Sequence, residues 1–268
     1  MRRLIVLLAP ALLMLVACEQ EDINTLDRKA DPVVLTGAQL PTLVGAMPGD
    51  IVAFRYNRFA GGWVQIPVQV DERHTVDLKA VHNDTTSVSL DVLAYSDPST
   101  LTGPDPTATF DADDELVFMA ADGFGKVTTS EVSQPAGTVP GTGVELQVSD
   151  PLRPGAGAYV YLFRQDGSLN PAAGRDYVSY TFDLLAGDYP ADYNFLGLSD
   201  PVGNPPSDPA PPANPENSSV VTSSYREHFV DRWITDQLAI TARGATAVDI
   251  LDRNRNHCAR WACVRSEQ

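Results

Sequence analysis

The chain has 268 residues, of which 35 are acidic and 19 are Lys or Arg, and its formal net charge is −16 at pH 7. A surface this negative repels the phosphate backbone of nucleic acids and anionic lipid headgroups. The composition therefore argues against a nucleic-acid partner and against membrane attachment through positive charge. The length suits one large β domain or two small ones.

The first 17 residues have the pattern of a secretory signal peptide. The basic pair Arg2-Arg3 precedes an apolar run over residues 4–17, and Leu15-Val16-Ala17 stands directly before Cys18. The alternative is a transmembrane anchor, but 14 residues fall short of the roughly 20 that a spanning helix needs. We therefore predict a cleaved signal peptide over residues 1–17.

The sequence Leu-Val-Ala-Cys at residues 15–18 resembles the lipobox of bacterial lipoproteins. This resemblance implies that Cys18 becomes the N-terminus and is acylated, with three fatty acyl chains such as palmitate. Two or more chains anchor a protein stably, whereas one binds the bilayer only marginally. In Gram-negative members of the family an Asp after the cysteine favours retention at the inner membrane. Residue 19 is Glu, so the resemblance implies the outer membrane.

Residues 18–31 are polar, with Ile23 and Leu26 as almost their only apolar side chains. Such a composition predicts a flexible coil with a span of roughly 20 Å. We therefore expect an acylated polar tether that leaves the domain free to tumble beside the bilayer. Cleavage before Cys18 would leave 251 residues with a net charge of −18.

Short alternating segments separated by Gly, Pro, Asp and Asn occupy residues 32–198. Each of the following sets predicts one strand face: Val52, Phe54 and Tyr56; Val64, Ile66, Val68 and Val70; Val88, Leu90, Val92 and Ala94; Val144, Leu146 and Val148; Val178, Tyr180, Phe182 and Leu184. Residues 116–121 are apolar on both faces and should lie in the middle of a sheet. The pattern predicts an all-β, mainly antiparallel fold, a β-sandwich or jelly-roll-like domain with at most one short helix.

The most distinctive internal block pairs Val-Gln-Val-Asp-Glu at residues 68–72 with Phe-Asp-Ala-Asp-Asp-Glu-Leu-Val-Phe at residues 110–118. This block is similar to bacterial secreted and lipid-anchored β-rich domains of unknown function, some of which accompany polysaccharide-degrading systems. The resemblance is confined to a minor part of the chain. It implies kinship and assigns no catalytic residue.

Four carboxylates crowd into residues 111–115, and like charges this close are costly unless water, a base or a cation neutralises them. Two interpretations stay open, a solvent-exposed acidic turn and a calcium site. The calcium site would take its ligands from Asp111, Asp113, Asp114, Glu115 and Asp122. It is not an EF-hand, because Leu116 stands where that loop requires Gly.

Seven prolines lie within residues 199–217, and they predict an exposed loop or an interdomain linker. The remaining residues, 218–268, are too few for an independent core, so we expect strands that pack on the main domain. Within them, residues 228–238 fit helical spacing better than alternation, although a twisted strand stays open. The polar tail from residue 253 is predicted to be disordered or truncated.

Cys258 and Cys263 are the only cysteines besides Cys18. An exported chain meets an oxidising space, so we predict a disulfide between them that closes a small ring worth roughly 2 kcal/mol. Two free thiols in a disordered tail remain an alternative. A metal site that includes His257 is another, although one His and two Cys is a weak metal pattern.

Motifs for enzymatic chemistry are largely absent from the sequence, which has no nucleophile elbow, zinc-protease motif or phosphate-binding Gly-rich loop. A glycosidase, however, needs only two carboxylates at a suitable separation. The scattered histidines at residues 74, 82, 228 and 257 are expected to be surface or structural residues. Trp63, Tyr161 and Tyr177 belong to a set of aromatic residues that suit sugar stacking, although strand aromatics more often lie in the core.

These patterns predict a lipid-anchored protein of the cell envelope that acts as a non-catalytic binding or interaction module. The expected partners are the membrane, through the lipid, and glycan or another envelope protein. One alternative is a polysaccharide hydrolase or lyase that uses acidic residues near Asp71 or Asp113. Another is a calcium-stabilised adhesion domain, and calcium is the one cofactor considered.

Overall fold

A computed structural model describes residues 24–81, 88–100, 102–127, 132–186, 215–231, 234–241, 248–249, 257–259 and 262–264. The fold is all-β with sandwich-like antiparallel sheets, as predicted, and every strand pairing within these residues is antiparallel. The strands are β1 (Pro32–Thr36), β2 (Ile51–Asn57), β3 (Gly62–Ile66), β4 (Gln69–Asp71), β5 (Arg73–Asp77), β6 (Asp91–Tyr95), β7 (Glu115–Met119), β8 (Val144–Ser149), β9 (Gly157–Arg164), β10 (Val178–Thr181), β11 (Pro215–Thr222), β12 (Tyr225–Asp231), β13 (Ile234–Ile240), β14 (Val248–Asp249), β15 (His257–Ala259) and β16 (Ala262–Val264). The helical elements are α1 (Leu78–Val81) and the 3-10 turns η1 (Gly37–Gln39), η2 (Pro48–Asp50), η3 (Arg58–Ala60) and η4 (Ala120–Asp122).

Two sheets enclose the main core. One has the strand order β3-β2-β9-β8 and the other the order β1-β7-β4. Alternate residues of β2, β7 and β9 supply buried side chains to a common cluster: Ile51 and Ala53, Leu116 and Phe118, Val160 and Leu162. Phe110, which is also buried there, connects this core to the acidic turn that precedes β7. Burial of each large apolar side chain contributes about 1.5 to 3 kcal/mol.

The apolar run that begins at Leu116 lies in the middle of its sheet, as predicted, because β7 pairs with β1 on one side and with β4 on the other. The predicted strand face from Val64 to Val70, in contrast, is wrong as one element. It divides into β3 and β4, which lie in different sheets. Pro67 stands between them and has no N–H to donate to a strand ladder.

The C-terminal strands form a sheet of their own, in the order β10-β11-β12-β13-β14. The helical spacing read from residues 228–238 is wrong, since the described residues of this stretch, 228–231 and 234–238, belong to β12 and β13. Their register shifts between His228 and Phe229 and again between Phe229 and Asp231. Such bulges break the period-two pattern, which explains the misreading.

The predicted packing of the C-terminal sheet on the main domain stays a prediction. β11 begins at Pro215, so the predicted Pro-rich segment ends three residues earlier than its sequence boundary. Its residues up to 214 lie outside the described part of the chain.

The segment from Asn24 to Leu26, which the sequence placed in a free tether, is bound to the domain. The Asn24 side-chain N–H donates to the Ala120 carbonyl at 2.6 Å, and the Thr25 backbone N–H donates to the Gly157 carbonyl at 3.1 Å. Leu26 is 4% exposed and packs with Ala120 and Ala158. This corrects the tether prediction for residues 24–26.

The predicted signal peptide and Cys18 precede the described residues, which begin at Asn24. Within the described residues, no helix has both the length and the apolar character needed to span a bilayer.

Candidate functional site

Three carboxylates of the main domain are buried, those of Asp114, Asp122 and Asp150, and the first of them, Asp114, holds the acidic turn. Its side chain is 0% exposed. One carboxylate oxygen accepts from the Arg73 backbone N–H at 2.8 Å, and the other accepts from the Asp111 backbone N–H at 2.8 Å. Burial raises the pKa of Asp114, while the two N–H donors act in the opposite direction. Asp114 thus satisfies two backbone donors that would otherwise lack partners.

Arg73 neutralises much of the remaining charge in this turn. Its Nη1 lies 2.6 Å from a Glu115 carboxylate oxygen, and its Nε–H donates to the Asp113 carbonyl at 2.6 Å. The Tyr95 hydroxyl donates to the other Glu115 oxygen at 2.7 Å. We call residues 111–115 with Arg73 the Asp114 turn.

The Asp114 turn also requires a glycine at residue 37. The Gly37 N–H donates to the Asp114 carbonyl at 2.9 Å, and the backbones approach so closely that a Cβ on Gly37 would lie 1.6 Å from the Asp111 carbonyl oxygen. No ordinary side chain fits such a contact.

The predicted calcium ligands are divided between two places. Asp114 and Glu115 already bind backbone N–H groups, Arg73 and Tyr95. The side-chain hydrogen bond with Asp111 is the main cause that raises the pKa of Asp113. Asp122 lies at the second place, where its carboxylate accepts a hydrogen bond from the Tyr177 hydroxyl. Within the described residues, no group of three or more His, Cys, Asp or Glu side chains is arranged to hold a metal ion, and the calcium site stays a prediction.

Another of the buried carboxylates, Asp122, lies in η4 directly after β7. Its side chain is 9% exposed, and one of its oxygens accepts from the Tyr177 hydroxyl at 3.0 Å. Burial raises the pKa of Asp122, while the Tyr177 hydrogen bond and the charges of Arg55 and Arg175 act in the opposite direction. Burial and the Asp122 carboxylate together raise the pKa of Tyr177.

Arg55 and Arg175, whose charges act on Asp122, each place their guanidinium group over an aromatic ring. The Arg55 guanidinium carbon lies 5.9 Å from the centroid of the Phe124 ring, and that of Arg175 lies 5.1 Å from the centroid of the Tyr177 ring. The Nε of Arg55 is buried and has no hydrogen-bond partner. Within the described part of the chain, neither guanidinium has an ion-pair partner or a hydrogen-bond acceptor.

Phe59 completes this group at the turn between β2 and β3. It is 67% exposed, and its ring lies edge-on to that of Phe124 at a centroid distance of 6.5 Å. The Asn57 side chain accepts from the backbone N–H groups of Phe59 and Ala60 and fixes the turn. Reciprocal backbone hydrogen bonds with Tyr159 of β9 fix Phe124. We call Asp122, Tyr177, Arg55, Arg175, Phe59 and Phe124 the Asp122 cluster.

Two of the strand aromatics, Trp63 and Tyr161, pack in an aromatic cluster of the core, as the sequence reading favoured. Trp63 meets the rings of Phe54, Tyr161 and Phe163 edge-on, and its indole N–H donates to the Ser133 carbonyl at 2.7 Å. Burial raises the pKa of Tyr161 to about 12, and its hydroxyl donates to Glu145 at 3.1 Å. These residues are engaged within the protein.

The described histidine side chains also have structural partners. His228 of β12 lies between Asp236 of β13 and Asn217 of β11, at 2.5 and 2.9 Å from its two ring nitrogens. His74 Nδ1 lies 2.7 Å from the Ser96 hydroxyl. Both therefore match the predicted role of structural histidines, while His82 lies outside the described residues.

The backbone register places Cys258 directly opposite Cys263 across the hairpin of β15 and β16. Opposite residues of an antiparallel pair have Cα atoms about 4.5 to 5.5 Å apart, which is within the range that a disulfide needs. The disulfide and its alternative, a metal site with His257, both stay predictions.

Sequence reasoning identified part of the Asp122 cluster. It considered Asp122 as a calcium ligand and Tyr177 as a sugar-stacking residue, but it gave no role to Arg55, Arg175, Phe59 or Phe124. The available signal was Arg55, a charged residue within the otherwise mostly apolar strand Ile-Val-Ala-Phe-Arg-Tyr-Asn.

No protein-family model matches the chain, and neither a curated protein nor a solved structure matches it.

Proposed function

We propose that this chain is a lipid-anchored protein of the cell envelope whose β domain is a non-catalytic glycan-binding module. The observation that carries the proposal is the Asp122 cluster, where a hydrogen-bonding carboxylate and phenol lie in one group with an exposed aromatic ring. Binding sites for small molecules typically combine aromatic surface with a few convergent polar groups.

Each part of the cluster suits a sugar. Asp122 accepts hydrogen bonds from hydroxyl groups, and the Tyr177 hydroxyl both donates and accepts. Phe59 keeps two-thirds of its surface in water, and a sugar ring that packs on it removes apolar surface from solvent. The turn of Phe59 is fixed by Asn57, so little conformational entropy is lost when a ligand binds.

The neighbours of Asp122 favour binding over hydrolysis. Glycoside hydrolysis uses two carboxyl groups on either side of the scissile bond. The groups that act on the pKa of Asp122 are a tyrosine and two arginines, and no second acidic group is among them in the described residues. In the Asp114 turn, the carboxylates of Asp114 and Glu115 are engaged by backbone donors, Arg73 and Tyr95.

The bound segment at Asn24 adds a constraint on the anchored protein. Only residues 19–23 separate the predicted acylation site Cys18 from Asn24, which is fixed to Ala120. Six Cα-to-Cα steps reach at most about 20 Å. The lipid anchor would therefore hold the Ala120 end of the domain close to the bilayer, and Asp122 lies in the same 3-10 turn as Ala120.

The anchor is tested by membrane fractionation after a high-salt wash. Cys18→Ser should become soluble, while Cys258→Ser, which leaves the lipobox intact, should stay with the membrane. A Cys18→Ser protein that still sediments with membranes would contradict the lipid anchor.

Glycan binding is tested on an array of oligosaccharides and polysaccharides with the mature protein. Asp122→Asn and Phe59→Ala should each lower the signal at least tenfold, while Asp91→Asn, which removes an exposed carboxylate of β6, should leave it unchanged. Absence of any bound glycan, or an equal loss for Asp91→Asn, would contradict the binding proposal. Release of new reducing ends from a bound polysaccharide would show an enzyme.

A further inference from the structure

The two arginines of the Asp122 cluster act on the charge of Asp122 but form no ion pair with it in the described residues. Acidic residues outnumber basic ones by 35 to 19, so carboxylate partners are plentiful. Arg28, Arg73 and Arg153 each form an ion pair, with Asp31, Glu115 and Asp27. Within the described residues, Arg55 and Arg175 have none, although both lie close enough to Asp122 to affect its pKa.

Arg55 in particular is half-buried on β2, and its Nε–H is shielded from solvent without an acceptor. Burial of a donor without a partner is unfavourable, and a movement of the Arg55 side chain towards a bound anion relieves it. A guanidinium presents its donors in a planar fork, which matches the two oxygens of a carboxylate.

We propose that the Asp122 cluster recognises a sugar that carries a carboxylate, that is, a uronate residue of an acidic polysaccharide. Arg55 and Arg175 hold the carboxylate, Asp122 and Tyr177 hydrogen-bond ring hydroxyls, and Phe59 packs against the ring. This inference rests on the proposed glycan-binding function and names its ligand class.

The charge of the cluster agrees with a singly charged ligand. Two guanidinium groups and one ionised carboxylate leave one net positive charge, which one carboxylate balances. The rest of the protein is strongly negative and repels any polyanion, a polyuronate as well as a polyphosphate, so the ligand that fits carries isolated uronate residues among neutral sugars. A carboxylate within a sugar ring brings one charge together with the hydroxyl groups and the ring face that the other residues of the cluster suit.

The test compares a uronate trisaccharide with its methyl ester, because the ester keeps the sugar rings and removes the charge. Titration calorimetry with the full mature protein in detergent should give at least tenfold tighter binding for the acid. Arg55→Gln and Arg175→Gln should each reduce the affinity for the acid towards that of the ester and leave the ester affinity unchanged. Arg226→Gln, which removes an exposed arginine of β12, is the control for a general change in charge.

The outcomes separate this inference from the function on which it rests. Equal affinity for acid and ester would overturn the uronate assignment and leave glycan binding intact. Absence of binding to either sugar, and to every glycan of the array, would overturn both. Acetate that competes as well as the uronate trisaccharide would show a simple anion site and overturn the sugar assignment. Arg175 is exposed, so its variant keeps the test valid if Arg55→Gln does not fold.

Discussion

Two of the buried carboxylates of the main domain, those of Asp114 and Asp122, have opposite kinds of partners. Asp114 accepts two backbone N–H groups and helps to place Arg73 against Glu115, so its donors and the nearby charges are satisfied within the protein. Asp122 accepts from one tyrosine and has two arginines nearby that form no ion pair in the described residues. Asp114 therefore serves the fold, whereas Asp122 leaves donors free for a ligand.

The largest effect is expected from Asp114→Ala, because it leaves two part-buried backbone N–H groups without acceptors. Each such donor costs about 1 to 3 kcal/mol, so the free energy of unfolding should fall by about 2 to 6 kcal/mol in urea denaturation. Asp114→Asn keeps one acceptor oxygen and should lose less. A loss below about 1 kcal/mol for Asp114→Ala would show that this carboxylate does not hold the turn.

Gly37→Ala should break the same turn from the other side. The added Cβ would lie 1.6 Å from the Asp111 carbonyl oxygen, and the backbone must move to accommodate it. Overpacking of this kind costs about 1 to 3 kcal/mol or more. Gly49→Ala is the matched control, since its Cβ would have no atom within 4 Å, and its effect should stay within about 0.5 kcal/mol. Similar melting temperatures for the two variants would contradict the close approach.

Asp122→Asn should change the pH dependence of stability more than stability itself. Burial raises the pKa of Asp122, so between the unfolded value of about 3.9 and the higher folded value the native state keeps a proton that the unfolded state has lost. The free energy of unfolding therefore falls as pH rises through this window. Asparagine does not titrate, so the variant should show a shallower fall.

This pH effect is measured by urea denaturation of both proteins at a series of pH values from 4 to 7. Asp113, Asp114 and Glu72 also have raised pKa values and contribute a slope of the same sign, which the comparison of the two proteins removes. Parallel curves for the wild type and Asp122→Asn would show that Asp122 has no raised pKa.

The fold was predictable wherever the period-two pattern is unbroken. The apolar run of β7 indicated a central strand, and the all-β architecture followed from patterns of this kind. Prediction was wrong at Pro67, where one apparent strand is divided between two sheets, and at Phe229, where bulges imitate helical spacing. In both places a proline or a β-bulge changed how the strands pair, while the apolar residues around it still looked like one continuous element.

The candidate site was less predictable, because its residues are distant in sequence. The acidic residues of the Asp114 turn are adjacent and therefore visible, but their partner Arg73 comes from β5, about forty residues earlier. Asp122 and Tyr177 are 55 residues apart, and Arg55 comes from a third element, β2. No spacing rule connects three such positions, so only the fold brings them together.

The smallest effect is expected from calcium, and it sharpens the contrast between the two carboxylates. A cation that bound the folded state at a hundredfold excess over its Kd would add about 2.7 kcal/mol of stability. The carboxylates of the Asp114 turn already have protein partners, and no group suited to a metal ion occurs in the described residues, so we expect calcium and sodium at equal ionic strength to give equal melting temperatures. Asp113→Asn should respond like the wild type in both salts.

A rise in melting temperature that is specific to calcium and lost in Asp113→Asn would show a cation site in the Asp114 turn. That turn would then bind a ligand as well, and the division between a carboxylate for the fold and a carboxylate for binding would be wrong.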